Sequence, residues 1–321
     1  RNVTGVQTCA LPIYTGRGVI TTATYEARAL GVNSAMGLMK AAALAPDAVL
    51  LPADFEQYRH YSALFKAAVA RLAPLVEDRG IDEIYIDLSN HPGIHDDGGR
   101  AVGALLKARV RERCGLSCSI GITPNKLLSK IASELDKPDG LTVIEAHELA
   151  PRIWPLPARR INGIGPKASA RLEALGIHTI GELAAADPGR LIEHFGKNYG
   201  AWLHEAAHGR DDRPVVTHSE PRSISRETTF EHDLHARRDR EQLSAIFTTL
   251  CERVADDLRR KGYVGRTIGI KLRYDDFSTL TRDQTLAEPT DNAAAIRAAA
   301  GRCLKRVPLE RRLRQIGRAH V

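Results

Sequence analysis

The sequence predicts a multidomain α+β protein, and three observations point to it. The chain runs to 321 residues, more than one ordinary hydrophobic core organises. Strand-like alternation and helical periodicity are interleaved without the regular strand–helix repeat of a parallel sheet. Between residues 151 and 213 the pattern changes to short helices punctuated by Gly and Pro, and after a polar connector a second α+β pattern begins.

Composition narrows the class. Hydrophobic residues make up 43% and charged residues 26%, the balance of a globular protein with a packed interior, which excludes wholesale disorder. No apolar run approaches a membrane span and no secretory signal is evident, so no membrane role is expected. Five cysteines, Cys9, Cys114, Cys118, Cys251 and Cys303, form no CxxC pair, which argues against a disulfide scaffold or structural zinc and for a reducing cytoplasm. The net charge is +7, and Pro221–Arg314 holds 20 Lys+Arg against 14 Asp+Glu. A polyanion such as DNA would be steered to that last third.

Each element has a reason in the residues. Gly18–Thr24 reads as a short β-rich segment, followed by a helix from Tyr25 to Leu30 that Gly31 ends. Phe55, Tyr58, Tyr61, Leu64, Phe65 and Ala68 mark one face of a helix over Asp54–Leu72. Leu75-Val76 reads as a short strand that reverses at Gly80 into a partner where Ile84, Ile86 and Leu88 alternate with Glu83, Tyr85 and Asp87. A helix over Gly99–Cys114 precedes a buried strand at Cys118–Ile122. Asn125–Leu135 is a further helix, stopped by Lys137-Pro138-Asp139-Gly140, and Leu141–Ile144 a strand. Helices backing one sheet are expected here. In the C-terminal third the order is strand (Ser223–Phe230), helix (Gln242–Arg260), two strands (Arg266–Tyr274, Thr279–Leu286), helix (Ala293–Leu304) and an appended strand. One sheet would then carry two helices behind it and an open face for a partner.

Two clusters carry chemistry. In Gly80-Ile-Asp-Glu-Ile-Tyr-Ile-Asp-Leu-Ser89, Asp82 and Glu83 fall at a strand boundary; on a regular strand they would point to opposite faces, but at a hairpin tip both lean toward one divalent cation. Within Ile161-Asn-Gly-Ile-Gly-Pro-Lys-Ala168, followed by a helix over Ser169–Leu175, Gly163 and Gly165 permit a tight turn and close approach to a phosphate. Free N–H groups at the next helix start and Lys167 would receive the anion. This is the form of a helix-hairpin-helix.

Taken together, RGVITTATYEARALGVNSAM, GIDEIYIDLS, GITPNKLLSKIASELDKPDG, INGIGPKASARLEALGI and PRSISRETTF resemble, in order, the motifs of the Y-family DNA polymerases, in the bacterial polymerase IV branch. The resemblance implies a right-hand polymerase: fingers over residues 14–53, palm over 54–144, thumb over 145–213, a linker over 214–220 and a little finger over 221–314. It implies template-directed, low-fidelity translesion DNA synthesis, nucleotidyl transfer from a dNTP to a primer 3′-hydroxyl assisted by two Mg²⁺ ions. Asp82 and Glu83 would hold the metal. Thr22, Tyr25, Arg28 and Lys137 would bind the incoming triphosphate. Gly163, Gly165, Lys167, Arg222, Ser223 and Arg226 would contact the DNA backbone without reading sequence. Primer–template DNA and dNTP are the implied partners of a monomer, with a sliding clamp for the full-length parent.

Two departures accompany the resemblance. Gly80 stands where many relatives carry Ser. The family's first strand, with its leading catalytic aspartate, belongs upstream of residue 14. Residues 1–13 (RNVTGVQTCALPI) and 315–321 lack periodicity and resemble translated adaptor DNA, so both are set aside as non-native, and this chain is expected to polymerise little or not at all. A non-catalytic DNA-binding protein of polymerase ancestry is the rival reading. A nuclease using the same acids would leave the triphosphate-binding set without a use.

Overall fold

A computed structural model describes residues 7–10, 17–94 and 97–320, with side chains for 17–94 and 97–317. The chain divides into two compact units, one made of residues 1–53 and 220–321, the other of residues 54–219.

The N-terminal part of the first unit is a three-stranded sheet with two helices. Strand β1 (Gln7–Ala10) lies between β2 (Ile20–Ala23), antiparallel to it, and β3 (Val49–Pro52), parallel to it; α1 (Tyr25–Ala29) and α2 (Leu38–Leu44) connect them. Helix α1 starts where the Thr24 hydroxyl accepts from the Ala27 N–H, and it stops at Gly31, whose φ of 91° suits glycine. Ile20, Ala23, Ala27, Val32, Ala41 and Ala45 close a small core. Part of the N-terminal segment set aside as foreign therefore pairs with the sheet through Gln7–Ala10; residues 1–6 and 11–13 lie outside the described residues. Periodicity missed β1 because a ladder is made by backbone groups, whatever the side chains.

The second unit opens with α3 (Phe55–Ala70), capped by the Asp54 carboxylate, which accepts from Gln57 N–H at 3.0 Å. Strands β4 (Val76–Asp78) and β5 (Ile84–Ile86) form the expected antiparallel hairpin. After α4 (Arg100–Cys114), β6 (Ile120–Ile122) pairs in parallel with β7 (Leu141–Val143) across α5 (Lys126–Leu135), which Asn125 caps. The single sheet expected here is replaced by two separate two-stranded ladders. They share a helix layer: Ile84, Ile86 and Ile120 pack on the cluster of Val69, Val102, Leu106 and Val110 from α3 and α4. The strand expected to be buried at residues 118–122 is half-buried along its length.

Four helices follow, α6 (Pro166–Ala174), α7 (Ile180–Ala185), α8 (Pro188–Phe195) and α9 (Lys197–Ala207). Their core includes Leu172, Ile180, Leu183, Leu191 and Leu203, and it takes in Leu127, Leu128 and Ile131 of α5. Each such buried side chain contributes on the order of 1.5–3 kcal/mol, so α5 is firmly seated between the hairpin layer and these helices.

The remainder of the first unit has β8 (Ile224–His235), α10 (Arg240–Lys261), β9 (Gly265–Tyr274), β10 (Thr279–Thr290), α11 (Ala293–Leu304) and β11 (Arg312–His320). The antiparallel sheet runs β10-β9-β11-β8. Ile268, Ile270 and Leu272 of β9 face Phe247, Val254 and Ile296 of the two helices, leaving the other face open as expected. The segment 315–321 set aside at the C-terminus is, through His320, part of a central strand, with Gln315, Ile316 and Gly317 buried. Its alternation is hidden by a register shift between Leu313 and Gln315, which turns both Leu313 and Ile316 toward the helices. Val321 lies outside the described residues. No helix among those described is long and apolar enough to cross a membrane.

Candidate active site and phosphate-binding elements

Asp82 and Glu83 stand immediately before β5, exposed at the tip of the β4–β5 hairpin. The tip is shaped by its own backbone: Arg79 N–H donates to Glu83 O at 3.0 Å, and Gly80, with φ of 139°, donates its N–H to Asp78 Oδ1 at 2.9 Å. Asp82 makes no hydrogen bond or ion pair among the described residues, while Glu83 is paired with Lys130 of α5. Asp87 accepts a hydrogen bond from Ser89 N–H at 2.9 Å.

The hairpin is ringed by cations that sequence reasoning passed over. Lys66 of α3 donates to Asp78 Oδ2 at 2.8 Å and to Gly80 O at 2.6 Å. Lys126 and Lys130, one turn apart on α5, reach Glu77 and Glu83. Glu134 then joins Lys130 at 3.4 Å to Lys137 at 2.6 Å. Burial works against the charge on Lys130, but Glu83 and Glu134 outweigh it and hold that ammonium above the usual lysine range. Burial likewise opposes the Glu134 carboxylate, and Lys137 and Lys130 hold it below the ordinary value. Burial also pushes the Tyr85 phenol up. The signal that could have found these lysines is the i, i+4 spacing in NKLLSK, which sets two ammonium groups on one helix face.

Two adjacent carboxylates with hard oxygen donors fit one Mg²⁺, an ion that takes one or two carboxylates and completes its shell with phosphate oxygens and water. Among the described residues no three acids, histidines or cysteines gather.

In the first unit the structure brings Thr22, Tyr25 and Arg28 together. Arg28 Nε donates to Ala23 O at 2.9 Å and Nη2 to Thr22 Oγ1 at 3.4 Å, and the guanidinium lies 5.2 Å from the Tyr25 ring centroid. An exposed, pre-oriented guanidinium beside a hydroxyl and an aromatic ring suits a polyphosphate.

Gly163 adopts φ of 114°, and Gly165 is the N-cap of α6 with no side-chain cap. Helix α6 begins at Pro166, three residues earlier than the periodicity predicts, because Pro at the first turn is pre-set for a helix. Lys167 is exposed beside it. Arg222 and Ser223 are exposed ahead of β8. Arg226 is placed differently from expectation: it lies on the helix-facing side of β8, where Asp257 of α10 takes its guanidinium at 2.5 and 2.9 Å.

Solved structures share this architecture. A chimeric Y-family DNA polymerase, Dbh-Dpo4(243-245)-Dbh, matches with a TM-score of 0.86 at 23% identity, over 99% of this chain and 91% of that one. The fold is that of a right-hand polymerase of mixed α and β structure. Residues 6–134 match the impB/mucB/samB family, residues 221–319 the C-terminal domain of that family, and residues 159–211 a thumb domain described for DNA polymerase-iota. DNA polymerase IV of Caulobacter vibrioides is 40% identical over 310 residues, 96% of this chain and 76% of that protein. DNA polymerase IV of Streptomyces coelicolor is 40% identical over 302 residues, and the chain spans 62% of its length. The chain belongs to the Y family of DNA polymerases, among the DNA polymerase IV proteins.

Proposed function

We propose that this protein performs template-directed DNA synthesis of the translesion type, joining a dNTP to a primer 3′-hydroxyl. The observation that carries the reading is the exposed Asp82–Glu83 pair on a braced hairpin. The names of the relatives and the phosphate-suited Thr22–Tyr25–Arg28 cluster support it. Asp82 and Glu83 would hold the divalent ion, which when bound supplies positive charge to the reacting oxygens. Arg28 offers a forked donor to the triphosphate with Thr22 beside it, and Tyr25 fixes the guanidinium plane. Lys137 would offer a point charge to a phosphate once it is released from Glu134. In the bond change, the primer 3′-hydroxyl loses its proton to water, its oxygen joins the α-phosphorus, the bond from that phosphorus to the bridging oxygen breaks, and pyrophosphate leaves. Protein groups mainly position and neutralise in such a reaction. Gly163, Gly165, Lys167 and Arg222 would hold the duplex backbone, a contact without sequence preference. The sliding clamp remains the expected partner of the longer relatives' form.

The test is binding of a dNTP to the chain on primer–template DNA with and without Mg²⁺, alongside primer extension. Mg²⁺-dependent binding that Asp82→Ala weakens by roughly tenfold or more supports the reading. DNA binding with no dNTP or metal response in either protein would establish the non-catalytic alternative. With Asp82 and Glu83 as the two acids at the hairpin tip, extension by this chain is expected to be weak.

A further inference from the structure

Strands β4 and β5 pair over only three residues each, too short a ladder to fix a hairpin by itself. Something else must set where Asp82 and Glu83 point. The strongest tie in the region is at Glu77, which lies opposite Tyr85 in the ladder and is only 6% exposed. Its Oε2 accepts from Lys126 Nζ at 2.7 Å and from Val216 N–H at 2.9 Å. Lys126 Nζ also donates to Pro214 O at 2.8 Å and stands 5.5 Å from the Tyr85 ring centroid. Every strong group at this junction is satisfied, as a near-buried ion pair requires.

We propose that Glu77 and Lys126 are positioning residues for the acid pair, locking the hairpin to helix α5 and to the connector at Pro214 and Val216. This rests on the reading of Asp82 and Glu83 as the metal-holding acids. The chain of contacts is short. Lys126 is the first residue of α5, and α5 is itself fixed by Leu127, Leu128 and Ile131 in the neighbouring core and by Asn125 Nδ2 donating to Gly209 O at 2.7 Å. One turn on, Lys130 meets Glu83. The helix thus grips the hairpin twice, once on the incoming strand and once at its tip. Lys66 of α3 holds the remaining corner at Gly80. Burial disfavours the Glu77 carboxylate, yet Lys126, the Val216 N–H and Arg79 outweigh it and keep its pKa below the ordinary value, in keeping with a permanent pair. A buried ion pair is seldom the cheapest way to gain stability; at this place it fixes a direction.

The test uses the whole chain and Mn²⁺ as the probe, read by the saturable paramagnetic broadening of the Ile81, Asp82 and Glu83 amide signals, with thermal unfolding measured in parallel. The expected result is that Glu77→Gln weakens Mn²⁺ binding about tenfold, as loss of an outer support commonly does, that Lys126→Gln does the same, and that the double variant is no worse than either. Lys126→Arg should restore most of the affinity. A merely structural role predicts a lowered unfolding midpoint with Mn²⁺ affinity unchanged, and that result overturns the proposal. Should Glu77→Gln fail to fold, Lys126→Gln decides by the same comparison. Asp82→Asn separates the two layers: if it leaves Mn²⁺ broadening unaltered, the metal-holding reading itself is wrong and the positioning role falls with it. Asp82-dependent binding that Glu77→Gln and Lys126→Gln do not affect overturns the positioning role alone.

Discussion

Arg226 on β8 and Asp257 on α10 form a two-pronged ion pair, with Nε 2.5 Å and Nη2 2.9 Å from the two carboxylate oxygens. Asp257 is 7% exposed and takes Arg260 as well. The side-chain hydrogen bond to Asp257 holds the Arg226 guanidinium above its ordinary range. An arginine so engaged sews a strand to the helix behind it, while Arg222, exposed just ahead of that strand, makes no ion pair among the described residues.

The two arginines should therefore part company on mutation. Arg226→Ala leaves Asp257 short of a partner and should cost about 1–2 kcal/mol of stability, the lower part of the range for a buried pair because Arg226 is half exposed and Arg260 remains. Arg222→Ala should leave stability unchanged and lower the slope of log DNA affinity against log salt by about 1. Chemical denaturation and anisotropy titrations at several salt concentrations check both. A reversed assignment, with Arg226→Ala weakening DNA binding at unchanged stability, would return Arg226 to the phosphate-contact role.

Arg28→Lys isolates geometry from charge. The fork that reaches Ala23 O and Thr22 Oγ1 while lying against Tyr25 cannot be made by an ammonium. Affinity for a dNTP should fall about tenfold, roughly 1.4 kcal/mol, with the unfolding midpoint unmoved because the site is exposed. Equal affinity of the two proteins would show that Arg28 acts as a point charge or not at all.

At the β9–β10 turn, hydrogen bonds from Ser278 and Arg311 hold the Asp276 carboxyl down to about 2, against an ordinary 3.8. A depressed acid stabilises the fold above its unfolded value and loses that contribution as pH falls through the folded one. The turn's contribution is thus intact above pH 3.8 and declines toward about pH 2. NMR titration of the Asp276 carboxyl carbon should show this, and Arg311→Ala should move the midpoint back up. High salt should do so partially, since the pair is exposed.

Most of the helices and the positions of both candidate loops were legible in the sequence, for physical reasons that act locally. Asp54 and Asn125 announce helix starts by capping, Gly31 ends α1, and the apolar face of α3 repeats with the helical period. Asp82 and Glu83 were legible because a Gly-led reversal must fall between two alternating runs. What stayed hidden is set by distant partners. Glu77, Lys126 and Lys130 look like ordinary surface charges until the fold brings α5 beside the hairpin. Arg226 looked free because Asp257 is 31 residues away. The last strand was expected, but its extent past residue 314 was hidden by its bulge, since a period-two reading fails where Leu313 and Ile316 share a face.

Gly317 tests whether that last strand belongs to the fold. It lies between Lys271 and Glu227 in the ladder, and those two side chains join over it at 2.9 Å. A Cβ at this position would stand 2.7 Å from Glu227 Cβ. Gly317→Ala should therefore displace Glu227, break the bridge and destabilise the C-terminal sheet by about 1–3 kcal/mol. Hydrogen exchange in β8 and β9 should rise with it; unchanged protection would show that the sheet does not depend on β11.

The thumb loop separates two uses of glycine. At Gly163, φ is 114° and an added Cβ would lie 2.6 Å from Trp202 Cη2. The Tyr199 hydroxyl donates to Gly163 O at 2.8 Å, and Tyr199 stacks on Trp202 with ring centroids 5.3 Å apart. Helix α9 thus fixes the loop from behind, and Gly163→Ala meets both backbone strain and an immovable ring pair, a loss of about 1–3 kcal/mol. At Gly165, φ is −78° and nothing lies within 4 Å of an added Cβ. The fold therefore does not require glycine there, and the proposed close approach of a phosphate would. Gly165→Ala should keep the unfolding midpoint and weaken duplex DNA binding, whereas Gly163→Ala should lower both. If Gly165→Ala binds DNA as tightly as the unaltered chain across a salt titration, the loop is a structural turn and the phosphate site lies elsewhere on the thumb.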